Sequence, residues 1–459
     1  MQAIPLPCPD DAGDWFAWLA DEPWALWLDS GGAAGGGRFD ILLARPRATL
    51  TTHGALTEVC DMVGTRLTAD EPFDLLRALL AANPGEPPPA PWPFAGGAAG
   101  YFGYDLARRI ERLPPLAEER APLPELALGL YDWALVVDGL ERRASLLMQD
   151  GVDDATAIWA QMLAARLAAG ETAPARGPAF ACQAPPRRSL DAVTHAAAFA
   201  RVQRHLRAGD CYQVNLALQF EAPVTGDAFA SYRRLRQISP APMGAFLHLP
   251  FARVLSASPE RFLSLTASGE VRTDPIKGTR RRVAEPQADA LAAQTLLASA
   301  KDRAENLMIV DLLRNDLGRV CRPGSVAVPR LCALESFAGV HHLVSTVTGR
   351  LAPGQDAVGL LRACFPGGSI TGAPKLAAMA LIEVLEPWRR GLYCGAIGWL
   401  GHDGAMDSSI AIRGGVESGG VLRFAAGGGL VADSNAADEY QECLDKAAPF
   451  FRLLSLPQV

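Results

Sequence analysis

Thr273-Asp274-Pro275-Ile276-Lys277-Gly278-Thr279-Arg280-Arg281-Arg282 is the stretch around which the rest of the chain is read. A lysine stands between a proline-fixed entry and a glycine, and three arginines follow at once. Pro275 sets φ on the way in, and Gly278 permits close backbone approach to a ligand. A lysine near several fixed cations loses part of its preference for the charged form. Withdrawn from water as well, it becomes an amine nucleophile near neutral pH. Alone, Lys-Gly-Thr reads better as a solvated basic turn, so the site reading rests on the other stretches that converge with it.

Length, at 459 residues, sets a prior of two or three domains. Hydrophobic residues make up 49% and charged residues 20%, the balance of a globular chain with a large core. With 43 basic against 50 acidic residues the net charge is -7. That balance speaks against nucleic acid and against anionic lipid as partners. The short Arg280 to Arg282 run fits part of a small anion's environment. The nine cysteines are scattered, none in C-x-x-C or zinc-ligand spacing. A reducing, cytoplasmic setting is expected. The first residues lack the basic start and apolar run of a signal peptide, and no stretch reads as a membrane span.

Blocks 24–28 and 39–43 read as strands joined by the glycine-rich turn 31–37. Residues 72–80 read as an amphipathic helix, 84–93 as a proline-rich loop, and 126–137 with 144–148 as a strand pair. Residues 155–167 read as a helix. The segment 169–189 is rich in Ala, Pro, Gly and Arg without an apolar period and reads as a linker. It divides an N-terminal region, 1–168, from a region 190–455. Helices are expected at 194–207, 288–297, 300–313 and 438–453. Strands are expected at 211–220, 244–249, 254–257, 345–349, 395–400, 408–413 and 421–426. Strands and helices mix without βαβ regularity, so the fold class is α+β.

Several groups could carry chemistry. In 301–311 the charged half of a helix leads into an apolar half, and Glu305 stands at the junction. In 438–446, Glu439, Glu442 and Lys446 share one helix face. Carboxylates from two helices meeting at a small anion would hold Mg²⁺, which takes a few carboxylates, waters and ligand oxygens. Alone, each helix reads better as an exposed one laced with ion pairs. Glu260, after an apolar strand and Pro259, would gain general-acid character from burial, or would pair with Arg261 in a turn. The loop 366–375 feeds a helix start that favours an anion. Gly427, Gly428 and Gly429 offer a bare backbone surface, or a plain loop. Arg413 could clamp a carboxylate or lie exposed. His342 beside an apolar strand is more often structural than catalytic.

Taken together, Ser258 to Phe262, Pro275 to Thr279, Glu305 to Asp316, His342 to Ser345, Ser369 to Lys375, Gly391 to Gly398 with Arg413, and Glu439 to Lys446 resemble the chorismate-utilising enzyme family. The resemblance covers residues 190 to 450 almost without a gap. It implies large mixed or antiparallel sheets packed together with helices outside. Members that attack with water carry a lysine where this chain has Gln213, and a glutamine is no general base. Anthranilate-forming members carry alanine where this chain has Lys277. Members that aminate C4 and keep the enolpyruvyl group carry lysine there. The 1–168 region, with 28–30, 38–41 and 96–106, looks like that of the same branch.

The resemblance implies Mg²⁺ held by Glu305 and Glu442 with Glu439 nearby, Lys277 adding to chorismate at C2, and Glu260 protonating the departing C4 hydroxyl. Ammonia then takes C4, for 4-aminobenzoate and folate synthesis. Arg413, Tyr393 and Gly427 to Gly429 would hold the pyruvyl carboxylate, with Gly278, Thr279, Ser369 and Lys446 completing the pocket. His342 falls at the family's catalytic histidine. No cysteine here has the context of a glutaminase nucleophile, so ammonia is expected from a separate glutaminase subunit. A tryptophan pocket of the family maps to Ser30, Arg38, Phe39, Pro242, Met243 and Gly244, although Gly35, Gly36 and Gly37 replace a larger side chain of other members. The competing readings are an anthranilate-forming enzyme and a catalytically silent docking subunit.

Overall fold

Many strands of this chain are apolar at every position, and the layering explains why. The computed structural model describes residues 1–456 apart from 122 and 338. In the strand Leu126–Tyr131, Leu126, Leu128 and Leu130 enter one core cluster while Ala127 and Tyr131 enter another. In Trp133–Asp138, Trp133, Leu135 and Val137 enter a third cluster, and Ala134 and Val136 enter the one that holds Tyr131. Successive strand side chains leave opposite faces, so each sheet is buried on both sides. The shared cluster lies between two sheets, and the other two lie under helices. Asp154–Ala168, Ala228–Ile238 and Ala436–Leu453 cover the first sheet. Pro72–Ala82, Ala300–Gly318 and Ala357–Cys364 cover the second. The α+β class and the packed antiparallel sheets with helices outside agree with expectation.

The first sheet runs Gln2–Leu6, Arg143–Met148, Trp133–Asp138, Phe39–Leu43, Ala25–Asp29, Met243–Leu249, Ala252–Ser258, Gly414–Ser418, Val421–Leu430 and Gln213–Thr225. The second runs Ile276–Arg281, Val340–Arg350, Glu270–Thr273, Arg261–Leu265, Met406–Ile410, Ala396–Gly401, Gly97–Phe102, Leu126–Tyr131, Ala48–His53, Leu56–Asp61 and Gly64–Thr68. The named strand pairs are antiparallel. Each sheet takes strands from both sides of the 169–189 segment. That segment is not bare linker, because Ala181–Cys182 and Arg187–Arg188 pair with Gln213–Thr225.

Residues 126–137, read as one strand, are two strands in different sheets that meet at Asp132. The chain also changes sheet at Pro259-Glu260 and at Ala411 to Arg413. Glu260 and Arg413 therefore stand on short connectors between the layers, where a side chain can enter the gap between the sheets.

Candidate active site

The lysine stretch forms Ile276–Arg281, at one edge of the second sheet. Lys277 is opposite Leu343 and Thr279 opposite His342, so Gly278 is the extra residue of a bulge. Its φ of +81° suits glycine alone, and a Cβ would come within 3.0 Å of Asp302 and Leu296. Lys277 Nζ donates to Ser369 O at 3.0 Å. Thr279 stands exposed at the rim, its Oγ1 2.9 Å from His342 Nδ1.

Glu260 is buried and faces this amine. It is not paired with Arg261, which turns to Asp407 at 2.9 Å and Asp274 at 3.3 Å. Burial raises the Glu260 pKa, partly offset by the Ser369 hydroxyl and by Lys277. Burial lowers the Lys277 pKa, with Glu260 and Glu305 opposing and Lys446 adding to the shift. A carboxyl inclined to keep its proton thus faces an amine inclined to lose one.

The three glutamates gather at the helix ends beside this pair. Lys301 Nζ lies 3.9 Å from Glu305 and 3.5 Å from Glu439. Glu439 Oε1 also accepts from Ser434 Oγ at 2.6 Å. A Cβ on Gly428 would lie 2.9 Å from Glu439 and 3.5 Å from Glu442, so glycine there leaves room for both. Burial raises Glu305, with Lys277 and Lys301 opposing. Glu442, at the open rim, is pushed up by partial burial but held below its ordinary value by Lys446, Lys277 and Lys301. The ion pairs of exposed helices are present, Lys301 with Glu305 and Lys446 with Glu442, yet Glu439 is buried and Glu305 nearly so.

Lys446 Nζ donates to Gly427 O at 2.9 Å. Gly427 and Gly429 pack toward Asn215 and Gln213, on the face opposite Gly428. Arg413 has φ of +54° and donates to Lys446 O at 3.3 Å. Among the described residues no carboxylate lies in ion-pair range of its guanidinium; burial lowers its pKa, with Tyr393 and Glu442 opposing. Burial also holds the Tyr393 phenol well above its ordinary value. His342 is pushed down to about 4, by burial first and against the Gly278 carbonyl, so it is neutral at pH 7. His341, on the other face, binds Ser336 Oγ at 2.7 Å and Asp289 at 3.1 Å.

Not every sequence candidate converges here. Lys375 is committed to Asp316 at 2.7 Å and Cys364 O at 3.0 Å. Arg38, Phe39, Pro242, Met243 and Gly244 line a separate cavity of about 400 Å³. There, Arg38 forms a two-point pair with Asp138, and Ser30 Oγ is turned onto Asp40 at 2.8 Å. Two features escaped the sequence reading. Lys301 was legible only as a helix-surface residue. Glu386 and Arg390, buried behind Tyr393, carried one cue, their i,i+4 spacing.

Residues 25–452 match the family model described as chorismate binding enzyme. The chain is 49% identical over 446 residues to aminodeoxychorismate synthase component 1 of Klebsiella aerogenes, covering 96% of each chain. It is 46% identical to the protein of that name from Escherichia coli strain K12, covering 95% of this chain and 94% of the relative. Anthranilate synthase component 1 of Streptomyces coelicolor is 40% identical, with 83% of this chain covered. Among solved structures, anthranilate synthase component I from Streptococcus pneumoniae TIGR4 superposes with a TM-score of 0.78 at 30% identity, covering 90% of this chain and 91% of that one.

Proposed function

The chain belongs to the chorismate-binding enzyme family, and we propose that it aminates chorismate at C4, giving 4-amino-4-deoxychorismate for 4-aminobenzoate and folate synthesis. The observation that carries this reading is the half-buried amine of Lys277, held by Ser369 O at 3.0 Å, facing the buried carboxyl of Glu260. Neutral Lys277 adds at C2, the ring double bonds shift, and the C4 hydroxyl leaves as water with the Glu260 proton. Ammonia then adds at C4, the double bonds shift back, the lysine is expelled as the neutral amine, and the new C4 ammonium returns a proton to the Glu260 carboxylate. Arg413, with no acid partner among the described residues, takes a substrate carboxylate, with Tyr393 beside it. Thr279 and His342 bound the ring side of the pocket, and Gly278, Ser369, Lys446 and Gly427 to Gly429 complete it.

By the chemistry of the donor set Glu305, Glu439 and Glu442 would hold Mg²⁺ in this reading, although among the described residues no three His, Cys, Asp or Glu side chains already converge as a metal site. One ammonium group already bridges two of these carboxylates, and a hard cation with bound waters suits such a set. Bound there, the ion would neutralise the ring carboxylate and draw electron density toward it. The relatives are named component 1. In this reading a separate glutaminase component is the source of ammonia, and the scattered cysteines without paired spacing support a cytoplasmic setting. Among the described residues no helix is long and apolar enough to cross a membrane.

The test incubates the purified chain with chorismate, Mg²⁺ and ammonium and resolves products by mass. Aminodeoxychorismate is expected, and Lys277→Ala should lower its formation by at least about a thousandfold, as loss of a covalent nucleophile does. Anthranilate as the product, or untouched chorismate, would overturn the reading.

A further inference from the structure

The helix Ala300–Gly318 buries Ile309, Val310, Leu313 and Leu317, and on the same side it also buries the amide of Asn306 completely. A buried amide is costly unless its hydrogen bonds are made. Asn306 Nδ2 donates to Leu343 O at 3.4 Å, and Asn306 Oδ1 accepts from Ser345 Oγ. Ser345 Oγ in turn accepts from Cys332 N at 2.9 Å, and Ser345 N donates to Pro275 O at 3.1 Å. Leu343 is the register partner of Lys277, and Pro275 precedes Lys277 by two residues. The residue next to Glu305 is therefore bonded at two points, Leu343 and Ser345, to the strand that pairs with the lysine segment, and Ser345 is bonded in turn to Pro275 at the entry to that segment.

We propose that Asn306 and Ser345 are positioning residues that fix the Glu305 carboxylate relative to Lys277, an inference that rests on the amination reading. Neither has exposed surface with which to touch substrate. Both act through Glu305, whose helix cannot slide along the strand 340–350, the lysine strand's partner, without breaking these bonds. Groups that orient metal-binding carboxylates typically change metal affinity by about 10- to 100-fold when removed.

Mg²⁺ binding to the full chain, followed by titration calorimetry without turnover, tests this. Ser345→Ala is expected to weaken Mg²⁺ binding about tenfold. Glu305→Gln should weaken it further, and the double variant should bind no worse than Glu305→Gln alone, since Ser345 acts only through that carboxylate. Unchanged Mg²⁺ binding in Ser345→Ala, or fully additive losses in the double variant, would overturn the proposal, as would an unaltered chain that binds no Mg²⁺. Should Ser345→Ala fail to fold by circular dichroism, Ser345→Cys, of similar size and a weaker donor, is expected to show a smaller loss, and wild-type binding by it would be equally fatal. Because no turnover is measured, failure of the amination reading shows separately, in the product assay.

Discussion

Glu260 and Lys277 are displaced from their ordinary values in opposite directions, and burial comes first for both. The reaction needs the carboxyl protonated and the amine neutral. The neutral fraction of Lys277 falls as pH drops and the protonated fraction of Glu260 falls as pH rises, so the rate, which follows their product, should decline at both ends of the pH range. A bell-shaped kcat profile at constant free ammonia is the expected result, and Glu260→Gln should be slower and lack the alkaline limb. A second acid gives a stability signature. Asp40, buried and accepting from Trp27 Nε1 at 2.9 Å and Ser30 Oγ at 2.8 Å, is raised to about 7 by burial and by the neighbouring Asp29 charge. The folded state then holds a proton that the unfolded state releases at about 3.9. Stability from this group is fully present below that value and is lost as pH rises toward about 7. Asp40→Asn keeps the shape and removes the titration. Its unfolding free energy should stay flatter between pH 4 and 7, where the unaltered chain loses up to about 1.4 kcal/mol per pH unit. Parallel slopes in urea unfolding at several pH values would refute it.

The bulge at Gly278 is the local element that presents the amine; the sequence marked the glycine as a place of close backbone approach to a ligand, whereas the side chains that close on it are Asp302 and Leu296 of the chain itself. Gly278→Ala places a Cβ 3.0 Å from Asp302 and Leu296 at a left-handed φ. It should cost about 1–2 kcal/mol in urea unfolding and lower kcat/KM more than tenfold, because straightening the bulge re-aims Lys277 and Thr279. A stable, fully active variant would show that the bulge is incidental. The helix expected at 194–207 starts two residues earlier, because its cap lies outside the apolar period that marked it. Asp191 caps Ala192–Ala208 reciprocally with Thr194, and Gly209 closes it. The strand crossing at Asp132 was not readable. Both sheets are covered on both faces, so Leu126 to Val137 shows an unbroken apolar run, and no alternation announces that the chain has changed layer.

At the scale of the molecule, the sequence showed the site's parts in order but not what joins the layers behind it, because the joint is built from carbonyls that sequence does not distinguish. Arg390 is buried between the sheets. It binds Glu386 at 2.9 and 2.6 Å and donates to Ile370 O at 3.1 Å and Asn215 O at 3.0 Å, with its guanidinium over Tyr104 and Tyr393. Asn215 belongs to the first sheet, Tyr104 follows a strand of the second, and Ile370 and Tyr393 border the site. Arg390→Met leaves the Glu386 carboxylate buried without its cation and should cost about 3–5 kcal/mol in urea unfolding. Adding Glu386→Gln removes the stranded charge while keeping an acceptor for the Ala217 N–H, which now donates to Glu386 at 2.9 Å. Most of the lost stability should then return. Chorismate KM should remain several-fold high, because neither substitution restores the anchor for Ile370 and Tyr393. If KM recovered together with stability, Arg390 would be a fold-wide clasp with no bearing on the pocket it backs.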